Sequence, residues 1–405
     1  MRRTVAIVGA LDTKGADFAF LRDEIARHGC EVLVIDTAVV GAPAFMPDVT
    51  REEVARAGGA ELSALVDAGD RGEAVATMAK GVAEIARRLH AEGRIHGVVS
   101  MGGGAGTLVG SSAMRALPVG VPKLLVSTVA SGDVAAYVGI SDVTMMHSVV
   151  DVSGVNSISR KIYGNAAAAI AGMVLNDVAA GEDKPIIAAT MFGNTTRAVN
   201  HARGLLEAEG YEVLVFHATG AGGRCMEALI DDGHITAVLD MTITEWADEL
   251  CGGVLSAGPG RLEAAGRAGI PQVVVPGCID MCNFWARHTV PDRYADRTFY
   301  EWNPNVTLMR TTVDENRRMA EIVAEKLNAA TGPAEVLIPM RGFSEIDVES
   351  KPFHHPEANE AFTETLRERL RPGIAVRTME TDINDPAFSA AAVETLIRML
   401  KQKEP

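Results

Sequence analysis

The stretch Thr4–Thr37, TVAIVGALDTKGADFAFLRDEIARHGCEVLVIDT, reads as an apolar strand, a short turn, a helix with Phe18, Leu21 and Ile25 on one face, and a second apolar strand. Strands that are apolar along their whole length are buried on both faces, and a helix between two of them is the crossover of a parallel sheet. The same shape returns at Pro185–Ala218, PIIAATMFGNTTRAVNHARGLLEAEGYEVLVFHA, where GYEVLV (Gly210–Val215) answers GCEVLV (Gly29–Val34).

Three further pairs follow in the same order. RIHGVVSMGGG (Arg94–Gly104) is answered by HITAVLDMTIT (His234–Thr244), GVPKLLVSTVASGD (Gly120–Asp133) by GIPQVVVPGCIDMC (Gly269–Cys282), and DVTMMHSVVD (Asp142–Asp151) by NVTLMRTTVD (Asn305–Asp314). Four matched segments in one order mark a tandem duplication of one α/β unit. Each unit is expected to hold a parallel sheet of about five strands with helices on both faces. The fold class is therefore α/β, with two tandem doubly wound Rossmann-like domains: 1–182, nucleotide-binding, and 185–405, carrying a C-terminal extension.

The first domain is expected to close on a helix within Ser153–Gly181, with Ser153 or Ser157 as its cap and Gly181 as its stop. Gly181–Pro185 then reads as the linker. The first half alone carries a helical insert, Thr50–Leu89. The second alone continues into a strand around GIAVRTME and a helix from Pro386 to Lys401.

With 47% hydrophobic and 22% charged residues the 405-residue chain has the composition of a globular protein. A formal charge of -15 repels polyanions, which argues against nucleic acid or an anionic membrane as partner. The five cysteines, Cys30, Cys225, Cys251, Cys278 and Cys282, form no paired framework. Together with the absence of a leader-like start or an apolar run of about 18 residues, this leads to the expectation of a cytoplasmic protein.

In open parallel sheets ligands collect beyond the carboxyl ends of the strands. There the first copy carries Gly102, Gly103, Gly104 and Gly106, four glycines in five residues, followed by Thr107. Such a loop can bring amides close to an anion at the positive end of a helix that Thr107 would cap, or it can be a tight packing turn. Asp12, Thr13 and Lys14 follow the first strand; Lys14 can meet a phosphate as a point charge or stand solvated at a helix start. Asp36 ends the second strand, where an acid can accept from ribose hydroxyls or cap a helix. Ser131, Gly132 and Asp133 follow the fourth; Asp133 can ligate magnesium or act as an N-cap. His147, Asp151, Asn156, Arg160 and Lys161 follow the fifth, and a lone histidine there is a catalyst or satisfied structure.

The second copy replaces the glycines with Thr242–Ala247. Glu245, Asp248 and Glu249 share a helix face there, where they can stabilise the helix dipole, hold a cation or supply a base. Asp280, Asn283 and His288 follow the next strand, and Arg341, Ser344 and Asp347 lie in MRGFSEID. Adjacent His354 and His355 suit a single metal poorly, and no serine-hydrolase elbow stands out.

Taken together, VGALDTKGADFAFLRDEI, SMGGGAGT, STVASGDVAAYVGISDVTMMHSVVDVSGVN, TEWADELCGGVLSAGPGRLEAA, NPNVTLMRTT and GFSEID resemble the plant tobamovirus-resistance (Tm-one-like) ATP-binding family and its bacterial relatives. The resemblance implies two Rossmann-like domains, an ATP site in the first, and self-association as a dimer or higher homo-oligomer. It carries ATP binding onto Asp12, Thr13, Lys14, the glycine loop and Ser131–Asp133, and it carries over no catalytic residue.

Two functions are thus expected to compete. One is an ATP-binding protein, with magnesium, whose phosphates rest on Gly102–Thr107 and Asp12–Gly15. The other is an enzyme of small-molecule catabolism acting on a sugar acid or an acyl or phosphorylated metabolite in the interdomain cleft, with Glu245, Asp280 and His147 as acid–base candidates.

Overall fold

The computed structural model describes residues 3–176 and 184–403. The chain divides into two compact units, Met1–Ala180 and Gly181–Pro405. Gly181, the expected helix stop and linker start, lies outside the described residues.

The first unit runs β1 (Thr4–Gly9), α1 (Gly15–Arg27), β2 (Glu31–Asp36), α2 (Arg51–Gly58), α3 (Leu62–Ala68), α4 (Arg71–Ala91), β3 (Gly97–Gly102), α5 (Gly104–Arg115), β4 (Lys123–Ser127), α6 (Ala135–Val138), β5 (Thr144–His147) and α7 (Ser159–Leu175). Its five strands are all parallel, in the order β2-β1-β3-β4-β5. The order reverses direction between β1 and β3, the switch point of a doubly wound sheet.

Alternation along β1 shows why the strands must be apolar throughout. Ala6 and Val8 join the core shared with α2, α4 and α5, while Val5 and Ile7 join the core shared with α1 and α7. Every second side chain serves a different layer, so neither face of the strand tolerates a polar residue.

Helix α7 starts later than expected, and neither Ser153 nor Ser157 caps it. Asn156 does: its Oδ1 accepts from the amides of Ile158 (2.9 Å) and Ser159 (3.0 Å). The insert Thr50–Leu89 folds as α2 to α4. Thr50 forms a capping box with Glu53, and Gly81 lets α4 lie against the Val54 carbonyl of α2, where a Cβ would overlap it.

The second unit runs β6 (Ile186–Met191), α8 (Thr196–Ala208), β7 (Glu212–His217), α9 (Ala221–Asp231), β8 (Ala237–Asp240), α10 (Glu245–Cys251), α11 (Ala264–Ala268), β9 (Gln272–Val274), β10 (Met281–Phe284), β11 (Phe299–Asn303), β12 (Val306–Arg310), α12 (Val313–Ala329), β13 (Ala334–Pro339), α13 (Pro356–Arg369), β14 (Ala375–Met379) and α14 (Pro386–Lys403). Its six-stranded parallel sheet has the order β7-β6-β8-β9-β13-β14. The first four positions repeat those of the first unit.

The fifth position does not. NVTLMRTTVD, matched in sequence to β5, forms β12 at the centre of a separate antiparallel sheet, β10-β12-β11. β13, from the extension, takes the place beside β9. Sequence likeness therefore persists across a change of sheet and of burial: β5 is a partly exposed edge strand and β12 a largely buried central one, and the same strand-forming residues suit both. The two doubly wound, Rossmann-like sheets expected from the sequence are present, the second enlarged by its extension to six strands.

Candidate functional site

At the carboxyl ends of β1, β2 and β3 the first unit encloses a cavity of about 560 Å³. Asp12, Thr13 and Lys14 line it from the turn after β1, Thr37 to Val40 from beyond β2, and Ser100, Met101, Ala105, Gly106 and Val109 from the β3–α5 corner. The insert supplies the remaining wall: Leu65, Val66, Asp70, Arg71, Ala74 and Val75. Sequence reasoning gave the insert no part in the site. Its only sequence signal was position, directly downstream of a strand-end loop.

Two helices begin at this edge. The first amides of α1 and of α5 have no carbonyl a turn earlier to bond, so they present donors and the positive ends of two helix dipoles. Helix α5 starts at Gly104 with Gly103 as its N-cap, four residues earlier than a Thr107 cap would place it. Thr107 is instead fully buried, its hydroxyl 2.6 Å from that of Ser127, and it caps nothing.

The four glycines divide by role. A Cβ at Gly102 would lie 2.8 Å from Gly106 Cα, so this pair allows the corner to close on itself. At Gly104 a Cβ would meet nothing within 4 Å, and at Gly103 only Thr128 Oγ1 at 3.6 Å. None of the four takes a positive φ. Neither crowding nor backbone conformation therefore calls for glycine at 103 or 104. Only Gly106 of the four lines the cavity.

Asp12 holds the first turn: its Oδ1 accepts from Thr13 N at 2.6 Å and its Oδ2 from Gly41 N at 3.1 Å. The Lys14 ammonium donates to the Val152 carbonyl, which anchors it at the same edge as the loop after β5. Asp36 takes neither role expected of it. It is fully buried, and its Oδ1 accepts from Leu11 N (3.0 Å) and Ala38 N (2.9 Å), tying the turns after β1 and β2 together. Burial pushes its carboxyl above the usual range, and its Oδ2 has no partner.

Ser131, Gly132 and Asp133 are exposed and stand outside the cavity wall. Asp133 Oδ1 accepts from Ala135 N at 2.9 Å, at the start of the short α6. This closes a turn one residue ahead of the N-cap, Val134, so Asp133 is not itself the cap. Among the described residues no group of three or more His, Cys, Asp or Glu is placed to hold a metal. His147 ends the edge strand β5, exposed, with Nδ1 3.3 Å from the Ser127 carbonyl.

In the second unit the two expected acids are enclosed. Glu245, 1% exposed, accepts from Gly220 N (2.8 Å) and Gly223 N (3.1 Å) through Oε1 and pairs with Arg261 Nε at 2.7 Å through Oε2. Arg261 is itself buried and grips Asp240 with both terminal nitrogens, at 2.6 and 2.7 Å. Glu245 is a buried internal counter-ion, with both carboxylate oxygens engaged by the protein. Asp280 is fully buried. Its Oδ2 accepts from the Ser344 hydroxyl at 2.7 Å, and burial with the neighbouring Asp347 carboxylate pushes its carboxyl up. It is not among the residues lining the first unit's cavity at the ends of β1, β2 and β3. All five cysteines are free thiols. Among the described residues no helix is long and apolar enough to cross a membrane.

A tandem pair of doubly wound α/β units, with an open strand-end cavity in the first, defines the class of protein. The chain belongs to the UPF0261 family: the "Uncharacterised protein family (UPF0261) N-terminal domain" matches residues 3–179 and the "C-terminal domain" of the same family residues 184–400. It is 49% identical to a UPF0261 protein of Clostridium tetani over 404 residues, covering 99% of this chain and 100% of that one. It is 43% identical to the Mesorhizobium japonicum UPF0261 protein mlr3387, covering 97% and 98%. The ToMV resistance protein Tm-1(GCR237) of Solanum lycopersicum is 41% identical over 337 residues, which are 81% of this chain and 45% of the tomato protein.

Proposed function

We propose that the first unit binds ATP in the cavity at the ends of β1, β2 and β3. The observation that carries this reading is that Lys14, the α5 N-terminus and an apolar wall of Val39, Leu65, Val75 and Val109 meet around one cavity of about 560 Å³. That volume falls in the range of small-molecule sites. The phosphates rest against the amides of Gly104 to Gly106 and the Lys14 ammonium, where donors and dipole act together. The base lies against the valines and Leu65. Magnesium enters as the metal chelate of the nucleotide, since the wall supplies no cluster of acids for it.

Binding is favoured over turnover by the lining itself. Ser100, the serine in the wall, spends its hydroxyl on the Val8 carbonyl at 2.8 Å, and no histidine or cysteine lines the cavity. Of the three acid–base candidates of the catabolic reading, Glu245 and Asp280 are enclosed, and His147 is exposed at the end of β5, outside this cavity's wall. Titration calorimetry with ATP, ADP and AMP tests the proposal. Ala105→Leu, which fills the cavity, is expected to abolish ATP binding, and Lys14→Ala to weaken it about tenfold, as for one charge-assisted hydrogen bond. Unchanged affinity in both variants overturns the assignment.

A further inference from the structure

The second unit has its own enclosed space, a cavity of about 550 Å³ at the carboxyl ends of β6 and β7, walled on the far side by the antiparallel sheet β10-β12-β11. Phe192, Asn194, His217, Asn283, Trp285 and Trp302 are among its lining residues, and no Lys, Arg, Asp or Glu is. Trp285 and Trp302 are 52% and 44% exposed, unusual for tryptophan side chains that flank a cavity. Phe192 and His217 meet edge-on with ring centroids 5.6 Å apart.

Two buried amides carry the argument. Asn283 is fully buried, and its Nδ2 donates to Asp248 Oδ2 at 2.7 Å and to Thr244 Oγ1 at 3.3 Å. The carboxylate fixes which way the amide faces, and it leaves Asn283 Oδ1 with no partner. Asn194, 1% exposed, directs Nδ2 at the Met281 sulfur (3.7 Å) and likewise leaves Oδ1 without a partner. An unpaired buried acceptor costs about 1–3 kcal/mol, and native proteins seldom keep one without reason. Here the two residues that carry them, Asn194 and Asn283, line the same cavity.

We propose that this cavity is a second small-molecule site, which takes a neutral planar ring compound bearing two N–H or O–H donors that meet Asn194 Oδ1 and Asn283 Oδ1. The ring is neutral because the wall offers no counter-charge, and a bare charge in such a site would go uncompensated. It is planar because the polar atoms are set among Trp, Phe and His faces, which favour stacked or edge-on rings. The donors belong to the ligand because the protein supplies only acceptors at the two buried positions.

Resorcinol is the probe, with 1,3-dimethoxybenzene as its donor-less counterpart and benzoate as its charged one. Binding is read from tryptophan fluorescence of the full chain, with Trp285→Phe and Trp302→Phe assigning the signal against the buried Trp246. Resorcinol is expected to give a saturable change carried by Trp285 and Trp302, at least tenfold tighter than either control. Asn194→Leu is expected to weaken it at least tenfold. Trp302→Ala, at an exposed position that leaves the core intact, is expected to weaken it several-fold, which keeps a readout should the asparagine variant fail to fold. Equal binding of resorcinol and 1,3-dimethoxybenzene overturns the proposal, as does the absence of saturable binding. A free-protein spectrum that shifts red on dilution also overturns it, since a second copy of the chain then covers this face.

Discussion

The loops after the third strand of each unit, Gly102–Thr107 in the first and Thr242–Ala247 in the second, stand at the same place in the same strand order and solve one electrostatic problem in opposite ways. Both units bring backbone donors to this edge. In the first the amides at the start of α5 face an open corner. In the second an internal carboxylate, Glu245, takes the amides of Gly220 and Gly223, and Arg261 neutralises it together with Asp240. A Cβ at Gly223 would run into that carboxylate, so here the glycine makes room for the protein's own anion. One copy is plugged from within and the other is left free for a ligand.

The plug can be broken at its cation. Arg261→Met leaves Asp240 and Glu245 buried without a counter-charge and removes a partner of the partly buried Glu227, and it is expected to destabilise the second unit by about 3–5 kcal/mol, the cost of breaking a buried pair from one side. The three tryptophans, Trp246, Trp285 and Trp302, all lie in the second unit. Urea unfolding followed by their fluorescence therefore reads that unit. An unfolding free energy lowered by less than about 1 kcal/mol would show that the ion cluster does not hold the corner shut.

The second unit's other buried acids give the next largest effect. Asp248 is pushed up to about 7, chiefly by burial, and Asp280 is raised by burial and by Asp347. An unfolded carboxyl titrates near about 4, so between about 4 and about 7 the folded state holds more protons than the unfolded one. The stability linked to those protons is fully present below about 4 and is lost as pH rises through about 7. Asp280→Asn keeps an acceptor for Ser344 and replaces the unpartnered Oδ1 with an amide nitrogen. It is expected to stabilise the second unit by about 1–3 kcal/mol at pH 8 and to flatten the slope between pH 5 and 7. An unchanged slope would place the proton elsewhere.

In the first unit the hydroxyl pair behind the glycine loop separates packing from binding. Thr107→Val removes the contact with Ser127 and is expected to cost about 1–2 kcal/mol by urea unfolding followed by circular dichroism. It should leave ATP affinity within about twofold, since Thr107 lines no cavity. A large loss of affinity with little loss of stability would return Thr107 to the site.

The strands, their parallel order and the duplication were legible because period and composition are local properties. β5 and β12 show the limit. Their sequences match, yet which neighbour a strand pairs with is decided by the elements on either side. The lining of the candidate cavity was legible at Asp12 to Lys14 and Gly106, where strand end and turn chemistry coincide. It was not legible at Asp36, whose two amide donors, Leu11 and Ala38, are set by the fold, one of them 25 residues away. Nor was it legible at Glu245, whose cation lies 16 residues on, in GPGRLEAA, with no helical periodicity to join them. The second-unit cavity escaped for the same reason: Asn194 and Asn283 are 89 residues apart in sequence and meet only through the sheet.

The smallest expected effect bears most directly on why the two corners differ. Gly104 stands in the first turn of α5, without a positive φ and with open space where its Cβ would be. Gly104→Ala therefore meets no steric objection, and a glycine in a helical conformation gives up more backbone freedom than an alanine does, so the variant should be more stable by about 0.4–1 kcal/mol. If stability rises while ATP affinity falls, the glycine is kept for close approach of a ligand to the α5 amides, and the first corner is open by selection. If the substitution destabilises the unit, the corner is packed after all, and the contrast with the plugged second unit is one of side-chain type alone.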